Sequence, residues 1–180
     1  MNLAAAFRNG GLNVGVLDTD VQGSLTGISD QLEGLNFVPA EQLGNIGSLI
    51  YDILIIDTPP YLMDTLADLF SISDYILVPS KTGFFDVLTI RATLGIIRKV
   101  QEQHPNLKYG VVLNMLKSST SLTNDIVGIL EGYEANILNT RIYDRVAYMR
   151  SSITNGVFST DDTKAHNEIL SLTEEILAAL

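Results

Sequence analysis

Two acidic segments carry the residue types and spacing that chemistry would use. The first is Leu17-Asp18-Thr19-Asp20-Val21-Gln22-Gly23-Ser24, with two carboxylates separated by one residue. At the end of a strand, such carboxylates point into one crevice if the strand continues through both. One could orient a magnesium shell or a lysine, and the other a hydrolytic water. Taken alone, Asp-x-Asp reads equally as a polar strand exit with Asp as a turn residue. The second segment is Ile55-Ile56-Asp57-Thr58-Pro59-Pro60. An acidic residue at the tip of an apolar strand is one way to hold Mg²⁺, usually through water. An Asp in a turn is its structural alternative. Both segments in one chain, in this order, about forty residues apart, are much harder to assign to turns alone.

Strands and helices must position them. Asn2 to Asn9 reads as an alanine-rich helix stopped by Gly10-Gly11. Asn13–Asp18 reads as a buried strand, followed by a short strand at Leu35–Val38 and a short helix from Ala40. Tyr51–Asp57 has four consecutive apolar residues and is the clearest buried strand. A helix is expected around Met63–Ser71, then a strand Tyr75–Val78 ending at Pro79. Apolar Val87, Ile90, Leu94, Ile97 and Val100 recur at three- and four-residue spacing, predicting a long helix Asp86–Gln103. Further on come a strand Tyr109–Met115, a helix Ser121–Tyr133, a short strand near Ile137–Leu138 and a helix around Asp144–Ser152. Asp161 or Asp162 caps a final helix to Leu180. Apolar strands alternating with helices predict an α/β domain: a mainly parallel sheet with helices on both faces, spanning residues 1–180 as one domain. Ligands of such sheets bind beyond the carboxyl ends of the strands, where both acidic segments fall.

Composition removes several classes of function. With no cysteine, disulfides, thiolate metal sites and iron–sulfur clusters are excluded. No apolar run approaches the ~18 residues that span a bilayer. Met1–Phe7 lacks the basic start of a secretory signal, so a cytoplasmic protein is expected. The net charge of −10 opposes a surface that is basic all over, but not a local basic patch. Arg141, Arg145 and Arg150 fall within ten residues of one another. His104 and His166 are far apart and have no partner at metal-ligand spacing.

The chain resembles the ParA family of DNA-partition ATPases, in the deviant-Walker group that also holds MinD, over nearly its whole length. Asn2-Leu-Ala-Ala-Ala-Phe7 is similar to the family's first helix, which follows its phosphate-binding P-loop. Val16–Ser24 is similar to its second motif, usually written with Asp-Pro-Gln-Gly; Val21 replaces that proline. Tyr51–Pro60 is similar to its Walker B segment. Arg141-Ile-Tyr-Asp-Arg-Val-Ala-Tyr148, Gly156-Val-Phe158 and Lys164-Ala165 resemble the closing region of its small, ParF-like members. The departure is at the front: Gly-x-x-x-x-Gly-Lys-[Ser/Thr] occurs nowhere in the 180 residues. The one Lys-Thr pair, Lys81-Thr82, has no glycine before it and reads as loop. The resemblance implies a first strand and P-loop ahead of Asn2, so roughly 15–20 residues look missing. The family's first strand lies inside the sheet, so neighbouring strand edges would be exposed without it.

The resemblance implies ATP and Mg²⁺ as cofactors. It makes Asp20 the residue that positions the attacking water, with Asp18 in the magnesium and lysine network and Asp57 holding Mg²⁺ through water. Asn114, at the end of its strand, matches an adenine-contacting position; a strand-end amide satisfying loop backbone is the equal alternative. Ser24 and Thr26 read as cap or turn hydroxyls. Arg145, Arg141 and Arg150 match basic positions for sequence-independent DNA contact, with local pairing to acids such as Asp144 as the even alternative. The implied partners are a second copy of the chain, an adaptor or centromere-binding protein, and DNA. Membrane binding is disfavoured, because Asp161–Leu180 holds five acids and one lysine. The competing function is a non-hydrolysing interaction module that keeps the fold without binding ATP.

Overall fold

The computed structural model describes residues 1–19, 34–59, 65–117, 121–151 and 156–180. They form two compact units, Met1–Tyr61 with Val146–Thr173, and Leu62–Arg145 with Glu174–Leu180. All strand pairs found are parallel, and the strands alternate with helices in an α/β fold.

The first unit opens with α1 (Asn2–Asn9), whose Ala4, Ala5, Ala6 and Phe7 are buried. Gly11 then turns the chain at φ +91, a left-handed conformation that glycine adopts without steric cost. The sheet has the order β2-β1-β3, from β1 (Val14–Asp18), β2 (Asn36–Val38) and β3 (Ile53–Asp57). Central β1 is buried at every residue. Asn13 ties its start to β3: its N–H donates to Asp52 Oδ2 at 2.8 Å and its amide to the Ile50 carbonyl at 2.7 Å. Gly15 makes room for Tyr51, since a Cβ there would sit 2.8 Å from the ring. The buried strand expected at Tyr51–Asp57 is instead half-buried over Ile53–Ile56, because among the described residues β3 pairs with β1 alone. Ala40–Ser48 forms 3-10 turns broken at Asn45 rather than a regular helix. This unit also holds α5 (Val146–Arg150) and the start of α6 (Thr163–Ala179). Asp162 caps α6, accepting from the N–H groups of Lys164 and Ala165 at 3.1 Å each.

The second unit contains α2 (Leu66–Ser71), β4 (Tyr75–Ser80), α3 (Phe84–Gln101), β5 (Lys108–Leu116), α4 (Ser121–Gly132) and β6 (Ile137–Tyr143). Its sheet order is β4-β5-β6. The predicted stripe on α3 is its core face: Val87, Ile90, Leu94, Ile97 and Val100 join one apolar cluster with Val111, Leu113, Ile126 and Leu130. Pro79 does not end β4, which continues through it to Ser80 opposite Leu113. As an edge strand, β4 tolerates a residue without an N–H donor. The strand near Ile137–Leu138 is longer than its apolar pair suggests and runs to Tyr143, with two register shifts against β5.

Candidate functional site

β1 and β3 run in register from Val14 opposite Ile53 to Asp18 opposite Asp57, so both acidic positions reach the carboxyl end of the sheet side by side. Asp18 is buried, at 8% exposure, while Asp57 is exposed. Thr19, which the sequence reading passed over, locks the two strand ends: its N–H and its hydroxyl donate to the Asp57 carbonyl at 2.9 and 2.7 Å. A threonine directly after a strand-end Asp is the only local signal for this. Asp20, like Ser24 and Thr26, lies outside the described residues.

The start of α1 meets this pair of strand ends. Met1, just ahead of the helix, lies half-buried within electrostatic reach of Asp57. Asn2 fixes the start of the helix. Its Oδ1 accepts from the Val157 N–H at 2.9 Å, and its Nδ2 donates to the hydroxyl of buried Ser151 at 3.3 Å. Asn2 is thus a second positioning residue missed in the sequence, because both partners lie some 150 positions away.

This donor set suits a hydrated Mg²⁺ held through water, with an exposed carboxylate outside and a buried one beside it. Among the described residues no group of three or more His, Cys, Asp or Glu gathers to ligate a metal directly.

The other expected residues are placed elsewhere. Asn114 is on β5 in the second unit, where its Oδ1 accepts from the Met115 N–H at 2.9 Å. Met115 has φ +55 and sits in the register shift between Leu113 and Leu116, so the Asn114 amide braces a bulge in its own strand. The three arginines do not lie in one element. Arg141 is inside β6, Arg145 lies between β6 and α5, and Arg150 is the last residue of α5. The Arg141 guanidinium donates to the carbonyls of Leu138 and Thr140. Arg145 lies over the Tyr143 ring, 5.7 Å from its centroid. His166 does not stand free at the surface, since its Nε2 lies 3.0 Å from the Val157 carbonyl. Among the described residues no helix is long and apolar enough to cross a membrane.

Residues 1–156 match the family described as the CobQ/CobB/MinD/ParA nucleotide binding domain. A virulence plasmid ParA family protein of Chlamydia muridarum is 32% identical over 142 residues, covering 74% of this chain and 51% of its own. The chain spans about half the length of the curated ParA relatives it matches in this way. Among solved structures, a plasmid partition protein from Borrelia burgdorferi has a TM-score of 0.70 at 16% identity, covering 99% of this chain and 90% of that one. A variant of Cyanothece McdA in complex with ATP has a TM-score of 0.73 at 16% identity, covering 98% and 89%.

Proposed function

We propose that this chain, which belongs to the CobQ/CobB/MinD/ParA nucleotide-binding family, is the carboxylate-bearing part of an ATP-dependent dimer switch for partitioning plasmid or chromosomal DNA. The observation that carries this reading is the in-register arrival of Asp18 and Asp57 at the carboxyl ends of adjacent parallel strands. Exposed Asp57 would hold the hydration shell of Mg²⁺. Asp18, beside it, would orient the groups around that shell. Asp20, two residues on, would position the attacking water. Asn114 would contact the adenine through the part of its amide that Met115 leaves over. When bound, Mg²⁺–ATP supplies the phosphoanhydride to be hydrolysed and the charge that makes such carboxylates useful.

The phosphate half of the site is not encoded in these 180 residues, which contain no Gly-x-x-x-x-Gly-Lys-[Ser/Thr]. That loop's N–H groups and lysine are what offset phosphate charge in such proteins. Without them, carboxylates face a polyphosphate with little positive charge opposite. The chain alone should therefore bind ATP–Mg²⁺ weakly or not at all. A fusion placing a strand and a Gly-rich Gly-Lys-Thr loop directly before Asn2 should bind it. Calorimetry on the two proteins tests this, and micromolar binding by the chain alone would contradict it.

The absent motif also favours a second reading, an interaction module that keeps the fold and does not bind ATP. An in-frame Gly-Lys-Thr loop in the genomic DNA upstream of Met1 supports the ATPase, and a stop codon there supports the module.

A dimer, an adaptor protein and non-specific DNA would be the partners of the switch. For DNA, Arg145, Arg141 and Arg150 are the candidate contacts.

A further inference from the structure

A second basic group lies on the surface of the second unit, formed by residues that no motif links. Arg91 and Arg98 are two turns apart on α3 and therefore fall on one face. Both reach Tyr133, at the end of α4. The Arg91 guanidinium lies over the Tyr133 ring, 5.5 Å from its centroid. The Arg98 guanidinium donates to the Tyr133 carbonyl and stands 3.7 Å from the Glu134 carboxylate. With Leu94 and Gly132, these residues line an open cleft of about 220 Å³.

Part of this arrangement has a structural purpose. Arg98 supplies a donor and a positive charge to the carbonyl end of α4. Arg91 does neither: apart from the ring, it meets no acceptor among the described residues. Stacking on an aromatic face leaves the edge of a guanidinium open to a second, planar partner.

Glu134 indicates which partner. The end of α4 is a Schellman turn, in which the Ala135 N–H bonds to the Leu130 carbonyl and the Glu134 N–H to the Glu131 carbonyl. The residue at its centre must be left-handed, and Glu134 has φ +55. Glycine would hold that position without strain. A glutamate stands there instead, 89% exposed, with its carboxylate on Arg98. The cleft thus already holds one carboxylate, loosely, on one of its two arginines.

We propose that this cleft is a docking site for an acidic segment of a partner protein. A partner Asp or Glu pairs with the open edge of Arg91, and its neighbour competes with Glu134 for Arg98. A nucleic acid fits less well. The α4 end presents the Glu134 carboxylate beside Arg98, so a continuous run of phosphates would meet like charge there, whereas a short acidic segment can place its carboxylates on the two arginines.

The probe is a fluorescein-labelled hexaglutamate peptide, followed by anisotropy at low ionic strength, with hexalysine and a short DNA duplex as controls. Hexaglutamate should bind and hexalysine should not. Arg91→Glu should weaken hexaglutamate binding about five- to tenfold, the loss expected for one charge-assisted pair. Glu134→Gln should strengthen it by removing the internal competitor. That gain cannot arise from misfolding, so it keeps the test decisive if Arg91→Glu is unstable. No binding of hexaglutamate, binding unchanged in both variants, or loss of duplex rather than peptide binding in Arg91→Glu would each overturn the proposal.

Discussion

Tyr75 carries the one buried side-chain oxygen or nitrogen that lacks a hydrogen-bond partner among the described residues. Burial raises the pKa of its phenol, and the nearby charge of Glu175 raises it further. The hydroxyl is accommodated only because position 110 is glycine: a Cβ at Gly110 would come within 2.3 Å of the Tyr75 oxygen and 2.6 Å of Leu138. Tyr75→Phe removes an unsatisfied polar group, so it should stabilise the protein by about 1 kcal/mol, or about 2–4 °C in Tm. The phenol is held neutral, so stability does not depend on it titrating below the ordinary tyrosine pKa of 10.0 and falls as pH rises from there through the raised folded value. The variant should therefore also lose part of the alkaline sensitivity, measured by thermal melts from neutral to strongly alkaline pH. Gly110→Ala should destabilise by about 1–3 kcal/mol through overpacking, and urea titration showing no loss would contradict the close approach. In the P-loop fusion described above, Asp20→Ala should nearly abolish ATP hydrolysis while leaving nucleotide binding largely intact. Equal loss of both would move Asp20 from positioning water to binding.

At the scale of elements, β6 takes a partner from outside its sheet. It is an edge strand, and its register shift between Ile137 and Arg141 turns backbone donors away from β5. Glu175 of α6 takes up these donors. Its carboxylate accepts from the Asn139 N–H at 2.6 Å, the Thr140 N–H at 2.9 Å and the Thr140 hydroxyl at 2.7 Å. One side chain thus satisfies the bulge, covers a sheet edge and anchors the end of the last helix. Partial burial raises the Glu175 pKa, but these bonds to Asn139 and Thr140 outweigh it and lower the pKa below its ordinary 4.5. The stabilisation is therefore present above pH 4.5 and is lost as pH falls through the depressed folded value. Glu175→Gln keeps the shape and removes the charge, so it should cost about 1–2 kcal/mol at neutral pH. The difference from the parent should shrink toward zero in strong acid. Urea unfolding at neutral and strongly acidic pH checks this, and a constant difference would remove the carboxylate from the account.

The whole molecule carries a net charge of −10, which decides how it could hold a polyanion. Exposed charges more than a Debye length apart, ~8–10 Å, are screened, so only a concentrated patch can bind DNA. For the fusion in its ATP-bound dimeric form, weak binding without sequence preference is expected, falling steeply with salt. Dimerisation doubles the patch, so nucleotide would control binding through avidity. Arg145→Ala should weaken binding to every duplex and flatten the salt slope by about one. Salt titrations on two unrelated duplexes test both. Unchanged affinity in Arg145→Ala would take that residue off the DNA surface, and a preference for one duplex would contradict non-specific binding.

The sequence by itself determined the order of elements and the position of the acidic strand ends. Apolar runs and helical spacing report local burial, which is how Asn2–Asn9, Asn13–Asp18 and the face of Val87, Ile90, Leu94, Ile97 and Val100 could be assigned. It also fixed the absence of cysteine chemistry and of a Gly-Lys-Thr loop within these residues. What it could not contain is pairing between distant positions. Register alone sets Asp18 opposite Asp57, and only folding brings Asn2 to Ser151 and Val157. The apolar pair Ile137–Leu138 marked only the start of a strand, whereas β5 pairing extends it through Arg141. Arg91 and Arg98 look like ordinary helix-surface residues until the end of α4 sets Tyr133 and Glu134 against them. Periodicity encodes which face of an element is buried; the tertiary structure alone decides which residues that burial makes neighbours.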